Sequence, residues 1–218
     1  LRARVALYMG DYATAQNYAT ELIGSSRYLL TAGADYKNIW ALKNTKESLW
    51  EIQYEPTNSN SIAFFYYTTT TGGRNEISTS SALNTAHEAG DLRQAINATT
   101  TGGGATNLKT LKFTRVATGD DNVVMFRLSE LYLIRAEARA QIGTDLVGAL
   151  ADVNVVRARA GLAASAAATT ADLMTAILKE RRVEFAHEGH RFFDLKRTNS
   201  LATTLGNAAF GVTTIDNT

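Results

Sequence analysis

The sequence predicts a mainly α-helical fold, in which tetratricopeptide-like helical hairpins flank a long irregular, partly β insertion. Three observations predict it. Apolar residues recur at helical spacing near both ends, over 1–24 and 126–197. The segment Ala3-Arg-Val-Ala-Leu-Tyr-Met-Gly10 returns as Ala136-Glu-Ala-Arg-Ala-Gln-Ile-Gly143, and Ala149 and Val156 then fall where Ala15 and Leu22 fell, after one inserted residue. Between these ends, residues 25–125 lose the helical period and gain Thr, Ser, Asn and Gly.

Each element follows from local chemistry. Residues 1–9 and 11–24 read as a hairpin: Gly10 suits a helix C-cap, Asp11 can cap the next helix, and Ala15, Tyr18, Ala19 and Leu22 make one apolar stripe. Leu49–Tyr54 alternates and reads as a strand. A short helix is expected around Leu83–Ile96, a loop over Asn97–Thr106 and a strand over Leu108–Val116. The helical framework resumes at 126–141 and 149–160. The last helix is expected from about Thr170 to His187, followed by a tail over 198–218.

Composition narrows the function. The chain has 218 residues, 45% of them hydrophobic, which is enough apolar material for a substantial core. A net charge of +1 gives no nucleic-acid footprint. There is no cysteine, so disulfides and thiolate metal sites are excluded. No apolar run approaches the length of a membrane span, and no signal peptide begins the chain. Leu1–Tyr8 already reads as helix interior without a capping residue, so the sequence is expected to begin mid-protein, with any targeting segment upstream.

The densest chemistry lies at 180–197. Leu173, Ile177, Glu180, Glu184 and His187 share one helical face, so two carboxylates continue an apolar stripe. A buried carboxylate needs a partner, and Arg127, Arg157, Arg159 and Arg191 can supply it, making structural ion pairs the expected role of this set. A retaining glycosidase pair also needs two neighbouring carboxylates, but it needs them in a cleft. His187-Glu-Gly-His190 lacks the His-x-x-x-His spacing of a helical zinc site, so no metal and no cofactor are expected. The insertion offers a different surface. Phe64, Phe65, Tyr66 and Tyr67 lie between Asn58/Asn60 and Arg74/Asn75, combining ring faces for sugar C–H groups with amides and a guanidinium for hydroxyls. The alternative is that these rings anchor a long loop to the helices. Trp40 and Trp50 are expected in the core.

Three segments resemble the SusD/RagB family. They are Arg127-x-x-Glu-x-Tyr-Leu-x-x-Ala-Glu-Ala138, then Ala149-Leu-x-x-Val-Asn-x-Val-Arg-x-Arg-Ala-Gly161, and Glu180-Arg-x-x-Glu-Phe-x-x-Glu-Gly-x-Arg-Phe-x-Asp-Leu-x-Arg197. The resemblance implies the C-terminal portion of a surface nutrient-binding lipoprotein of Bacteroidota. Its partners would be a SusC-like TonB-dependent transporter and an oligosaccharide or other nutrient ligand. It implies an outer-membrane location through a lipid anchor outside this sequence, no catalysis, and one SusD-like domain across 1–218. The matching motifs are framework motifs, so the ligand residues rest on Phe64, Phe65, Tyr66, Tyr67, Arg74 and Asn75. A tetratricopeptide-like scaffold for a protein partner is the competing reading.

Overall fold

The computed structural model describes residues 1–205. The first hairpin is α1 (Arg2–Tyr8) and α2 (Tyr12–Gly24). Gly10 turns the chain at φ 75°, where a Cβ would be strained, and the Asp11 carboxylate accepts from the Thr14 amide at 3.1 Å. The second hairpin, α7 (Leu128–Ile142) and α8 (Leu146–Arg159), uses the same corner. Gly143 takes φ 81°, and Asp145 accepts from the Gly148 amide at 2.8 Å. Then follow α9 (Thr170–Glu184), opened by a Thr169/Asp172 capping box, α10 (His190–Arg197) and α11 (Leu201–Leu205). The tail expected over 198–218 lies outside the described residues beyond 205.

Helix α7 is the central element. One flank meets α1 and α2 through Leu128, Leu131, Ile134 and Ala138 against Ala3, Leu7, Ala15 and Ala19. The other meets α8 and α9 through Leu133, Ala136 and Ala140 against Ala149, Val153, Leu173 and Ile177. The alanines at these seams are buried, and their small side chains let the four neighbouring helices approach α7 closely.

The insertion is built from short pieces. They are α3 (Asn38–Ala41), β1 (Ser48–Ile52), α4 (Ile62–Tyr66), α5 (Ser81–Asn84), α6 (Gln94–Asn97) and β2 (Val123–Arg127). β1 and β2 pair antiparallel, with Ser48 opposite Arg127 and Ile52 opposite Val123, so the sheet delivers the chain directly into α7. Three expectations are corrected here. The helix expected over Leu83–Ile96 is two four-residue helices separated by a turn at Gly90, which has φ 83°. The strand expected over Leu108–Val116 makes one isolated bridge, Thr99 to Lys109, because Lys109, Thr110 and Lys112 are directed into the interior. Trp50 is 54% exposed: strand alternation buries Glu51 and turns the indole outward, stacked on Phe126 at 5.9 Å between ring centroids. Trp40 is buried, with the Lys112 ammonium 4.2 Å from the centroid of its ring.

Candidate functional site

Glu180 and Glu184 lie at the C-terminal end of α9 and are 2% and 0% exposed. Glu184 accepts from Arg127 and Arg159 on one oxygen and from Arg93 at 3.0 Å on the other. Glu180 accepts from Arg93 at 2.5 Å and from Arg157 at 3.3 Å. Arg127 and Arg159 also hold Glu47, and Arg127 reaches Glu188 at 2.8 Å. Lys112 donates to Glu188 at 2.6 Å, and Asp91 binds Arg93 at 2.8 Å. The lattice therefore joins six carboxylates (Glu47, Glu88, Asp91, Glu180, Glu184, Glu188) to six cations (Arg93, Lys112, Arg127, Arg157, Arg159, Lys179), and it is neutral as a unit.

The electrostatics follow from that closure. Burial alone would raise the Glu184 carboxyl, but Arg127, Arg159 and Arg93 hold it well below the usual range. Burial also opposes ionisation of Glu188, yet Arg127 and Lys112 bring it to about 2. Glu180, with less compensation, is raised by burial. Two carboxyls pushed apart in this way would suit acid–base chemistry in a cleft, but these two have no surface through which a substrate reaches them.

Arg93 was missed from the sequence. It comes from the insertion, two residues after Asp91, and no periodic pattern marks it. Arg191 is the converse case and is corrected: it forms no ion pair among the described residues. Gly189 at φ 80° restarts the chain into α10, and Arg191 emerges half-buried on a different face from the lattice. His187 and His190 share no site. The His187 Nδ1 pairs with the Tyr66 hydroxyl at 3.0 Å, and its Nε2 lies 3.0 Å from the Asn97 carbonyl oxygen. His190 packs on Phe185. Burial lowers both imidazoles to about 4, and no group of residues suited to a metal occurs among the described residues.

The ring cluster of the insertion divides. Tyr66 and Tyr67 are 8% and 7% exposed. Tyr66 stacks on Phe113, and the Tyr67 hydroxyl donates to the Thr110 carbonyl at 3.2 Å. Both rings pack into the interior, and Tyr66 also lines a cavity of about 280 Å³ with Ile62, Phe113 and His187. Phe64 and Phe65 are half-buried and pack edge to face, 5.6 Å apart. The chain folds back on them at Gly73, where a Cβ would collide with the Tyr67 carbonyl, and the Arg74 and Glu76 amides donate to the Phe64 and Phe65 carbonyls. Arg74 and Asn75 are thereby held beside the two phenylalanines and exposed. Arg74 pairs with Glu76 at 2.6 Å. The Asn75 side-chain oxygen accepts from Asn107 and Lys109, and the residue is exposed. On β1, a second aromatic surface forms around Trp50, beside the Gln53 and Asn44 amides, which bond each other at 3.1 Å.

Comparison with known proteins identifies the frame. The sequence profile of the SusD family matches residues 58–218. A SusD-like protein of Formosa agariphila is 29% identical over 170 residues, covering 72% of this chain and 33% of that protein. Surface glycan-binding protein A of Bacteroides fluxus superposes with a TM-score of 0.81 at 25% identity, over 98% of this chain and 55% of its own. Surface glycan-binding protein A of Bacteroides thetaiotaomicron, solved in complex with laminarihexaose, superposes with a TM-score of 0.78 at 21% identity, over 98% of this chain and 57% of its own. The chain thus spans about a third of the curated relative and just over half of these two solved ones.

Proposed function

The chain belongs to the SusD family, and from that premise we propose that it captures an oligosaccharide at the cell surface without catalysis. In this reading it passes the ligand to a SusC-like TonB-dependent transporter of the outer membrane, to which it is held by a lipid anchor. The observation that carries the reading is the pair of half-buried rings, Phe64 and Phe65, beside the exposed Arg74 and Asn75, set on a framework whose acid pair is sealed. Phenyl faces remove sugar C–H groups from water, while the guanidinium and amide satisfy hydroxyls that would otherwise lose hydrogen bonds. Trp50, with Gln53 and Asn44, extends the same chemistry. Binding to partly exposed rings competes with water, so affinity is expected in the micromolar to millimolar range, about −8 to −4 kcal/mol.

The test is affinity electrophoresis and calorimetry of the protein against a panel of neutral and acidic oligosaccharides. A double Phe65→Ala, Arg74→Ala variant is expected to bind at least about tenfold more weakly, a loss of about 1.4 kcal/mol, while its circular dichroism at the assay temperature stays that of the folded protein. Retained affinity in that variant removes the site. Hydrolysis of any bound glycan removes the non-catalytic reading.

A further inference from the structure

A cleft of about 510 Å³ lies between the 85–88 segment, α9, α10 and Thr204 of α11. Its charges are out of balance. Lys179, Arg182 and Arg191 line it, and its one carboxylate among the described residues, Glu88, is already engaged. Arg157 grips both Glu88 oxygens at 2.8 and 3.0 Å, and Lys179 adds a third contact at 2.9 Å. Arg182 donates to the Ala82 carbonyl alone, and Arg191 has no hydrogen-bond or ion-pair partner among the described residues. Asp194, the nearest acid along α10, is held by Arg181 at 2.9 Å and Arg197 at 2.8 Å.

The contrast with the rest of the molecule is specific. Every other buried or half-buried arginine among the described residues has a carboxylate partner. Only Arg182 and Arg191 do not, and they share one cleft. Burial, and then the like charge of Arg182, lower the Arg191 guanidinium from its ordinary value. An anion between them would relieve that repulsion and accept charge-assisted hydrogen bonds from two planar donors. The hydroxyls beside them fit a sugar. Thr175 and Thr198 donate to the backbone carbonyls of Ala171 and Asp194, and the Thr198 and Ser200 hydroxyls bond each other at 2.8 Å, so each oxygen keeps at least one lone pair to accept from a sugar hydroxyl.

We propose that this cleft is a subsite for the anionic group, a uronate carboxylate or a sulfate ester, of an acidic oligosaccharide. The proposal rests on the glycan-capture reading and narrows its ligand class.

The test uses polygalacturonate, a sulfated galactan and neutral laminarihexaose as probes, with Arg182→Gln, Arg191→Gln, their double variant, and Arg27→Gln as a control at an exposed arginine elsewhere. The wild-type protein is expected to bind at least one acidic probe more tightly than the neutral one. The double variant should lose at least about tenfold of that affinity, while Arg27→Gln loses none. Raising NaCl from 0.05 to 0.5 M, about a threefold shortening of the screening length, should weaken the acidic probe selectively. Whichever acidic probe responds to the substitutions identifies the group. Equal binding of the acidic probe by wild type and double variant overturns the subsite. Binding of the neutral probe alone overturns it too, while leaving glycan capture standing. Binding of none of the probes counts against both.

Discussion

Glu184 is a carboxylate with no exposed surface and three guanidiniums around it. Its ionised form is held by Arg127, Arg159 and Arg93 together, so its removal takes a counter-charge from three buried cations at once and leaves them to Glu47, Glu188, Asp91 and Glu180. Glu184→Gln is therefore expected to cost about 3–5 kcal/mol, read as a lower urea midpoint at unchanged slope. A loss below about 1 kcal/mol would mean that the remaining carboxylates compensate all three cations without Glu184. The two glutamates were legible in the sequence because helical spacing placed them on the Leu173/Ile177 face. Arg93 was not, because its contact with Glu184 spans 91 residues and depends on how the insertion lies across α9. Arg191 was misassigned for a related reason. The sequence gives its spacing from Glu184, but the left-handed backbone at His187 and Gly189 rotates everything after it onto another face.

At the scale of elements, the α2/α7 and α7/α8 seams depend on side chains that are small. Ala138 is fully buried between α7 and the first hairpin. Ala138→Leu is expected to overpack that seam and cost about 1–3 kcal/mol, whereas Ala13→Leu, on the exposed side of α2, should stay within about 0.5 kcal/mol. Thermal unfolding of the two variants checks the contrast, and equal shifts would refute the close-packed seam. These long helices were readable because their period repeats over several turns and their caps are written in Gly and Asp. α5 and α6, with four residues each, contain too few turns for a period to register, and they are held by tertiary contact. The same limit hid which insertion rings face outward. Tyr66 and Tyr67 differ from Phe64 and Phe65 in burial through the position of Phe113 and Thr110, some 45 residues away, which local pattern does not encode.

For the molecule as a whole, two groups of buried sites set the response to acid. His187 and His190 titrate near 4 in the fold, against 6.5 unperturbed, because burial disfavours their charged forms. The unfolded chain then binds more protons between those values, so their contribution is intact above pH 6.5 and is lost as pH falls towards 4. Glu188 titrates near 2 against 4.5, so its contribution is intact above 4.5 and is lost between 4.5 and 2. Stability is expected to decline in two stages, first through the histidines and then through the carboxylates. Urea midpoints from pH 7.5 to 3 test this, and His187→Gln should flatten the first stage while leaving the second. A single transition confined below pH 4.5 would contradict the histidine stage. The lattice also fixes when the molecule can close. Glu47, Arg93, Lys112 and Arg127 all leave the ribosome before Glu180, Glu184 and Glu188 exist. A nascent chain thus carries its interior cations without most of their counter-charges until the last framework helix has been made. Native assembly is for that reason a late event, completed after synthesis of α9 rather than growing outward from the first hairpin.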